Sequence, residues 1–264
     1  MNSKITEINA IRMPVMFIGH GSPMNAITQN PYRDAWLKLG KILPRPRAIL
    51  CVSAHWQTQG TQVCVVEKPE TIHDFSGFPQ ELFAQQYPAP GTPEIAQMTC
   101  DLFDNGSIIP TLAWGLDHGA WTILQSLFPA ADVPVFQLSL DVNLNFSEHF
   151  ALAYQLASLR ECGVMIIGSG NIVHNLGRLN SSGNVYDWTI DFDDYVKTAL
   201  EAEDNEALIH IERAGEAARL AVPTSEHYLP LLYIAATRHA DDRMQFFTEA
   251  FDLGSLSMRS VIYQ

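Results

Sequence analysis

Four cysteines, Cys51, Cys64, Cys100 and Cys162, are scattered through 264 residues with no Cys-x-x-Cys pair among them. That scarcity argues against a disulfide framework and against a zinc–cysteine site, and fits thiols kept reduced. No uninterrupted apolar run approaches the ~20 residues of a membrane span. The opening stretch MNSKITEINAIRMP has no long apolar segment, so no secretory leader is expected and a cytoplasmic location is. Basic residues are also few: 16 Lys and Arg stand against 29 Asp and Glu, a formal net charge of −13. A surface of that sign is a poor partner for nucleic acid or an anionic membrane. Walker and G-x-S-x-G elements are missing, Gly168-Ser169-Gly170 is too short for a phosphate loop, and no His-x-x-x-His pair marks a helix-borne zinc site. Ser22 and Ser53 lie near histidines, but no pattern makes either a nucleophile.

What is present reads as a globular α/β chain. Apolar residues make up 47% and charged ones 17%, enough apolar mass for one large core. Short apolar runs predict strands at Val15 to Ile18, Ala48 to Ser53, Gln62 to Val66, Val133 to Leu140 and Val164 to Ile167. Helical patterns fall between them, at Tyr32 to Leu39, Pro93 to Phe103 and Glu148 to Glu161, the last with Phe150, Ala153, Tyr154 and Ala157 at helical spacing and Gly163 as its stop. Asp191 to Leu220 reads as two polar helices. Met244 to Phe251 and Leu256 to Tyr263 flank Asp252-Leu253-Gly254, which predicts a C-terminal β-hairpin. The expectation is a single α/β domain spanning 1–264, with a central, mainly parallel or mixed sheet flanked by helices.

The nine histidines carry the chemistry. His20 in GHGSP, His55 in SAHW and His174 in GSGNIVHNL each follow a predicted strand. Ligands collect outside the carboxyl ends of strands in open α/β sheets. A lone strand-end histidine is more often a hydrogen-bonded structural residue than a ligand. Three in equivalent positions reverse that balance, because a borderline divalent metal needs convergent neutral imidazoles. His227 in PTSEHYLPLLY stands where a helix starts, as a ligand or merely as part of its cap after Thr224 and Ser225. His118 in WGLDHGAW has glycine and aromatic neighbours, with Trp114 and Trp121 either walling a pocket or filling core. His73, beside Asp74, is a weaker pocket candidate, and His149, His210 and His239 read as solvated surface.

Taken in order, GHGSPMNA, SAHW, TIHDFSGFP, YPAPG, DHGAW, SGNIVHNL and EHYLPLLY resemble the class III extradiol ring-cleavage dioxygenases, in their DOPA-type branch. The resemblance runs from about residue 13 to about residue 258. It implies one non-haem divalent metal, Fe(II) for activity and zinc as an occupant of isolated protein. It further implies His20, His55 and His227 as ligands, with His174 beside them as a fourth ligand or an acid/base and His118 facing the substrate. Trp114, Trp121, His73 and Phe78 are the expected substrate-side residues. The protocatechuate branch has glutamate as its third ligand; here Glu226 and His227 stand side by side, and His227 matches the EHY motif.

The implied reaction opens a catechol such as DOPA with dioxygen to a semialdehyde of the muconic type, with His174 and His118 moving protons. The implied partners are thus a small catechol and dioxygen, and the assembly a monomer or small homo-oligomer. Two other readings share the scaffold. One is a metal-binding interaction protein of the memo type, indifferent to metal identity; the other is a zinc hydrolase whose open position activates water.

Overall fold

Three strand segments, β1 (Val15–Gly19), β2 (Ala48–Thr58) and β6 (Val164–Gly170), run parallel at the centre of the sheet. The computed structural model describes residues 12–103 and 106–264; residues 1–11, which carry most of the N-terminal reading above, lie outside them. Four further strands extend the sheet, namely β3 (Thr61–Cys64), β4 (Ile108–Thr111), β5 (Val135–Asp141) and β7 (Met244–Thr248). β8 (Phe251–Asp252) and β9 (Leu256–Ser257) form a small ribbon, and β10 (Ser260–Tyr263) returns to the main sheet. The order is β4-β3-β5-β2-β6-β1-β10-β7. The sheet is mixed, because β3 meets β5 and β10 meets both β1 and β7 in antiparallel fashion. The C-terminal hairpin is thus present, with Val261 opposite Phe246 and Phe251 opposite Ser257.

Helices α1 (Pro31–Gly40), α2 (Gln80–Phe83), α3 (Pro93–Cys100), α4 (His118–Leu127) and α5 (Phe146–Gln155) precede β6. After it come α6 (Asp187–Glu201), α7 (Asn205–Ile209), α8 (Glu216–Ala221) and α9 (Leu229–Thr237). The central strands are buried on both faces, so they read as continuous apolar runs rather than alternating ones. Ala48, Leu50, Val52, Val164 and Ile166 point to one face, with Tyr233 and Ile234 of α9. Ile49, Cys51, Met165 and Ile167 point to the other, with Trp121 and Leu124 of α4. This is the two-residue alternation of a strand.

Several sequence expectations change. β2 does not end at Ser53 but continues to Thr58, and its pairing with β5 slips between Val52 and Gln57. His55 therefore sits in an irregular stretch of strand rather than beyond it. The helix expected over Glu148 to Glu161 begins at Phe146, with Asn145 and Glu148 forming a reciprocal capping box, and tightens after Gln155 into a 3-10 turn ending at Gly163 (φ 80°). Tyr154, expected on its apolar face, is exposed. The two polar helices expected over Asp191 to Leu220 are α6, starting at Asp187, followed by the short α7, a 3-10 turn and α8.

His149 is not surface: it is fully buried, with Nδ1 2.9 Å from the Tyr233 hydroxyl. Burial disfavours its charged form and lowers its pKa, against the opposing pull of Asp141 and Glu148. An unfolded histidine titrates near ~6.5. Below that pH the unfolded chain takes up a proton that the folded chain refuses, so this contribution is full above ~6.5 and is lost as the pH falls through the window beneath it. Urea midpoints should therefore drop between about pH 7.5 and about pH 5. His149→Gln should flatten that slope by up to ~1.4 kcal/mol per pH unit, the linkage of one proton. An unchanged slope in the variant would refute the assignment.

Candidate metal centre

The parallel strands deliver histidines to one end of the sheet, and backbone bonds fix where each ring goes. His20 follows β1 directly; its N–H donates to Gly170 O at the end of β6 (3.0 Å), and its carbonyl accepts from the Asn25 side chain (2.9 Å). His55 rides on the irregular part of β2. His118 is the first residue of α4, whose N-terminus is capped by the buried Asp117. Asp117 also accepts from Ser53 Oγ (2.7 Å) and Gln137 Nε2 (2.7 Å), tying the helix start to β2 and β5. Burial, then Asp74, raises the Asp117 pKa, and those hydrogen bonds oppose the rise. His174 lies in the turn after β6, and His227 lies just before α9, its carbonyl accepting from Asn171 N–H at 2.9 Å.

The two glycines that flank His20 permit a close approach of the segment around Met258. A Cβ on Gly19 would come within 2.9 Å of the Met258 backbone. Gly21 has φ +59°, a left-handed conformation, and a Cβ there would come within 2.6 Å of Met258 Sδ. Both glycines thus answer to the close approach of Met258, in the link between β9 and β10.

His20, His55, His118, His174 and His227 all line one cavity of about 460 Å³. His20, His55 and His118 form one group whose ligand atoms lie within 4.8 Å of one another, and His174, Glu226 and His227 form a second. His227 links the two, its ring centroid 5.4 Å from that of His20 and 5.0 Å from that of His55. His174 stacks on His227 at 3.4 Å with planes 7° apart.

Outer partners set which nitrogen of each ring is bare. Ser169 Oγ donates its one proton to Gly119 O (2.6 Å), so toward His20 Nδ1 (2.9 Å) it can only accept. The His20 proton is therefore on Nδ1, and Nε2 presents a lone pair. Glu226 Oε1, which accepts from Thr224 Oγ1, lies 2.9 Å from His227 Nδ1 and fixes that ring the same way. Asp74 accepts from the His118 backbone N–H (2.9 Å); its other oxygen lies 2.9 Å from His118 Nδ1, without hydrogen-bond alignment, and 3.5 Å from His55 Nδ1. Carboxylate and hydroxyl partners of this kind orient metal-binding imidazoles.

Burial and the neighbouring imidazoles drive the His20 and His227 pKa values well below the usual histidine range. Burial, reinforced by His118 and opposed by Asp74 and Glu226, brings His55 to about 3. Burial brings His174 to about 4, against the pull of Glu226. These four rings are neutral at pH 7 and offer lone pairs. Asp74 is pushed up by burial but held below its ordinary value by His118 and His55.

The donor set fits a divalent metal. His20 Nε2 and His55 Nε2 lie 3.2 Å apart. Two nitrogens bound to one ion at ~2.0–2.1 Å, at right-angled to tetrahedral angles, stand ~2.8–3.4 Å apart.

Not every candidate reaches the cavity. Trp121 is fully buried in the core beneath, its Nε1 donating to Ile72 O (2.9 Å). Trp114 stacks on Trp56 at 5.4 Å, beside a different surface depression. His73 turns Nε2 to Gln85 O (3.0 Å) and packs on Phe75, Phe83 and Trp121. None of the three lines the cavity, whereas Phe78 does. Asp74 and Ser169 were missed as orienting groups; for Asp74 the available signal was its place next to His73 within TIHDF.

Comparison with known proteins agrees with this geometry. Residues 15–255 match the family described as the catalytic LigB subunit of aromatic ring-opening dioxygenase. The chain is 44% identical over 263 residues to a protein named 4,5-DOPA dioxygenase extradiol from Escherichia coli K12, covering 96% of each. It is 37% identical over 253 residues to one of the same name from Beta vulgaris, covering 92% of this chain and 94% of that protein. A crystal structure of an uncharacterized Escherichia coli K12 protein superposes with a TM-score of 0.84 at 40% identity, covering 96% of this chain and all of that one. The chain therefore belongs to the LigB family of class III extradiol dioxygenases, metal-dependent enzymes that open aromatic rings.

Proposed function

We propose that this extradiol dioxygenase uses Fe(II) to cleave a catechol such as DOPA with dioxygen, giving a semialdehyde of the muconic type. The observation that carries the reading is the ring of neutral imidazoles around one cavity, with His20 and His227 held so that Nε2 faces inward. The reading treats residues 1–264 as one catalytic domain. The free state of Cys51, Cys64, Cys100 and Cys162 supports a cytoplasmic setting. No helix among the described residues is long and apolar enough to cross a membrane.

In this reading His20, His55 and His227 hold the ion, and His174, stacked on His227, is a fourth ligand or a proton carrier. Bound Fe(II) supplies acidification of the catechol hydroxyls and the one-electron chemistry that lets dioxygen react. His118 accepts a proton from a substrate hydroxyl, because the Asp74 carboxylate beside its Nδ1 stabilises the imidazolium that results. His174, neutral and at the cavity wall, is placed to hand a proton on during ring opening. Phe75 and Phe78 flank the ring position and exclude water.

The test is direct. Protein loaded with Fe(II) without oxygen, then given DOPA and oxygen, should consume oxygen and form a yellow ring-opened product. The zinc-loaded protein should do neither, since zinc has no accessible redox chemistry. Failure of every catechol in a broad panel would refute the assignment, and ester hydrolysis by the zinc form without oxygen uptake would replace it.

A further inference from the structure

We infer that Asn25 and Asn171 are positioning residues of the metal centre: together they clamp the His20–Gly21 peptide and so fix where His20 Nε2 points. The inference rests on the reading of His20 as a ligand. Asn25 stands in GHGSPMNA and Asn171 in SGNIVHNL, and neither has a chemical role in the reaction above.

The two polar groups of one peptide are held from opposite ends. His20 O accepts from Asn25 Nδ2 at 2.9 Å, and Gly21 N–H donates to Asn171 Oδ1 at 3.2 Å. Both asparagines are buried. A peptide that turned over would leave the two buried side-chain amides without these partners. The clamp matters because of the residue after His20. Gly21 has no Cβ and tolerates either sense of the peptide before it, although here it sits at φ 59°. The backbone alone does not choose between them; the two side chains do.

Neither amide can be reversed. Asn30 Oδ1 accepts from Arg33 N–H (2.9 Å) as the cap of α1, which turns its Nδ2 to Asn25 Oδ1 (2.8 Å). Asn25 is thereby left to offer Nδ2 to His20 O. Asn171 Nδ2 faces the Ser257 carbonyl (2.8 Å), which can only accept, so Oδ1 is left for Gly21 N–H. The sense of the peptide is thus set from the cap of α1 on one side and from β9 on the other. Asn171 N–H also donates to His227 O at 2.9 Å, so one residue holds the His20 turn in register with a second ligand.

The test uses cobalt(II) as the probe ion, with Kd from chelator competition and the visible absorption of the loaded protein as a report on ligand geometry. Asn25→Leu and Asn171→Leu keep the branched shape and lose the clamp. Each should weaken cobalt binding about 10- to 100-fold, the range for an outer partner of a ligand, and alter the spectrum. Asn30→Asp keeps the α1 cap but sets an oxygen against Asn25 Oδ1, which turns that amide round. It should fold as the parent does and lose affinity in the same direction, and it decides the matter where a leucine variant fails to fold. Ile95→Ala, in the α3 core outside the cavity lining, should lose stability and keep both readouts. Parent affinity and spectrum in the folded asparagine variants overturn the inference, as does an equal loss in Ile95→Ala. If His20→Ala itself keeps the parent's affinity, the ligand reading fails. The imidazole N–H proton signal that His20→Ala removes from metal-free protein then decides the clamp, which falls if that signal is unmoved in Asn25→Leu.

Discussion

His227→Ala is expected to bind metal more than about 100-fold more weakly than the parent, since losing even an outer partner of a ligand costs ~10–100-fold. His118→Ala should keep its metal and lose turnover by about 10²–10⁴, the usual contribution of a positioned general base. The contrast follows from how the two rings are held. His227 has Nδ1 against Glu226, and its backbone is fastened to Asn171 at the end of β6. His118 has Asp74 beside Nδ1, as suits a group that gains charge during the reaction. Metal content after dialysis against a chelator, measured beside oxygen uptake, separates the roles. The opposite pattern, metal lost from His118→Ala and kept in His227→Ala, would make the close trio His20, His55 and His118 the ligand set.

Gly170→Ala should damage fold and site together. Gly170 pairs with Gly19 across β1 and β6, and a Cβ there would sit 2.1 Å from the His227 carbonyl oxygen and 3.3 Å from Phe17 Cε2. Neither the strand nor the His227 backbone can retreat without breaking the His20 N–H to Gly170 O bond or the Asn171 N–H to His227 O bond. The expected cost is about 3 kcal/mol or more, at the upper end for overpacking, with a parallel fall in metal affinity as His227 shifts. Urea denaturation with and without metal measures both. A variant with the parent's midpoint and affinity would show that this close approach does not position His227.

The central sheet was legible because its strands are buried on both faces and so appear as unbroken apolar runs at 15, 48 and 164. The antiparallel edge was legible only through the turn at Asp252-Leu253-Gly254. Strand ends were less so: His55 looks like the residue after a strand, because a slip in pairing carries no compositional mark. The histidines at strand ends reach one cavity as expected, and His118 joins them because Asp117 caps α4 there. Trp114, Trp121 and His73 share the aromatic setting of the motifs but pack away from the cavity. Aromatic composition near a motif does not reveal which way a ring turns. His149 misleads for the opposite reason, since a polar helical neighbourhood hid a buried contact with Tyr233, 84 residues away.

The placement of β10 beside β1 has a consequence for the order in which the enzyme is made. β1 and His20 are synthesised well before Met258, which packs on Gly19 and Gly21, and Ser257, whose carbonyl holds the Asn171 side chain. A nascent chain can pair β1 with β6 but leaves the other edge of β1 open until β10 has been made. The contacts that hold the His20 end of β1 are thus complete only once Met258 and β10 have been made, so chains cut short before Met258 should bind metal poorly.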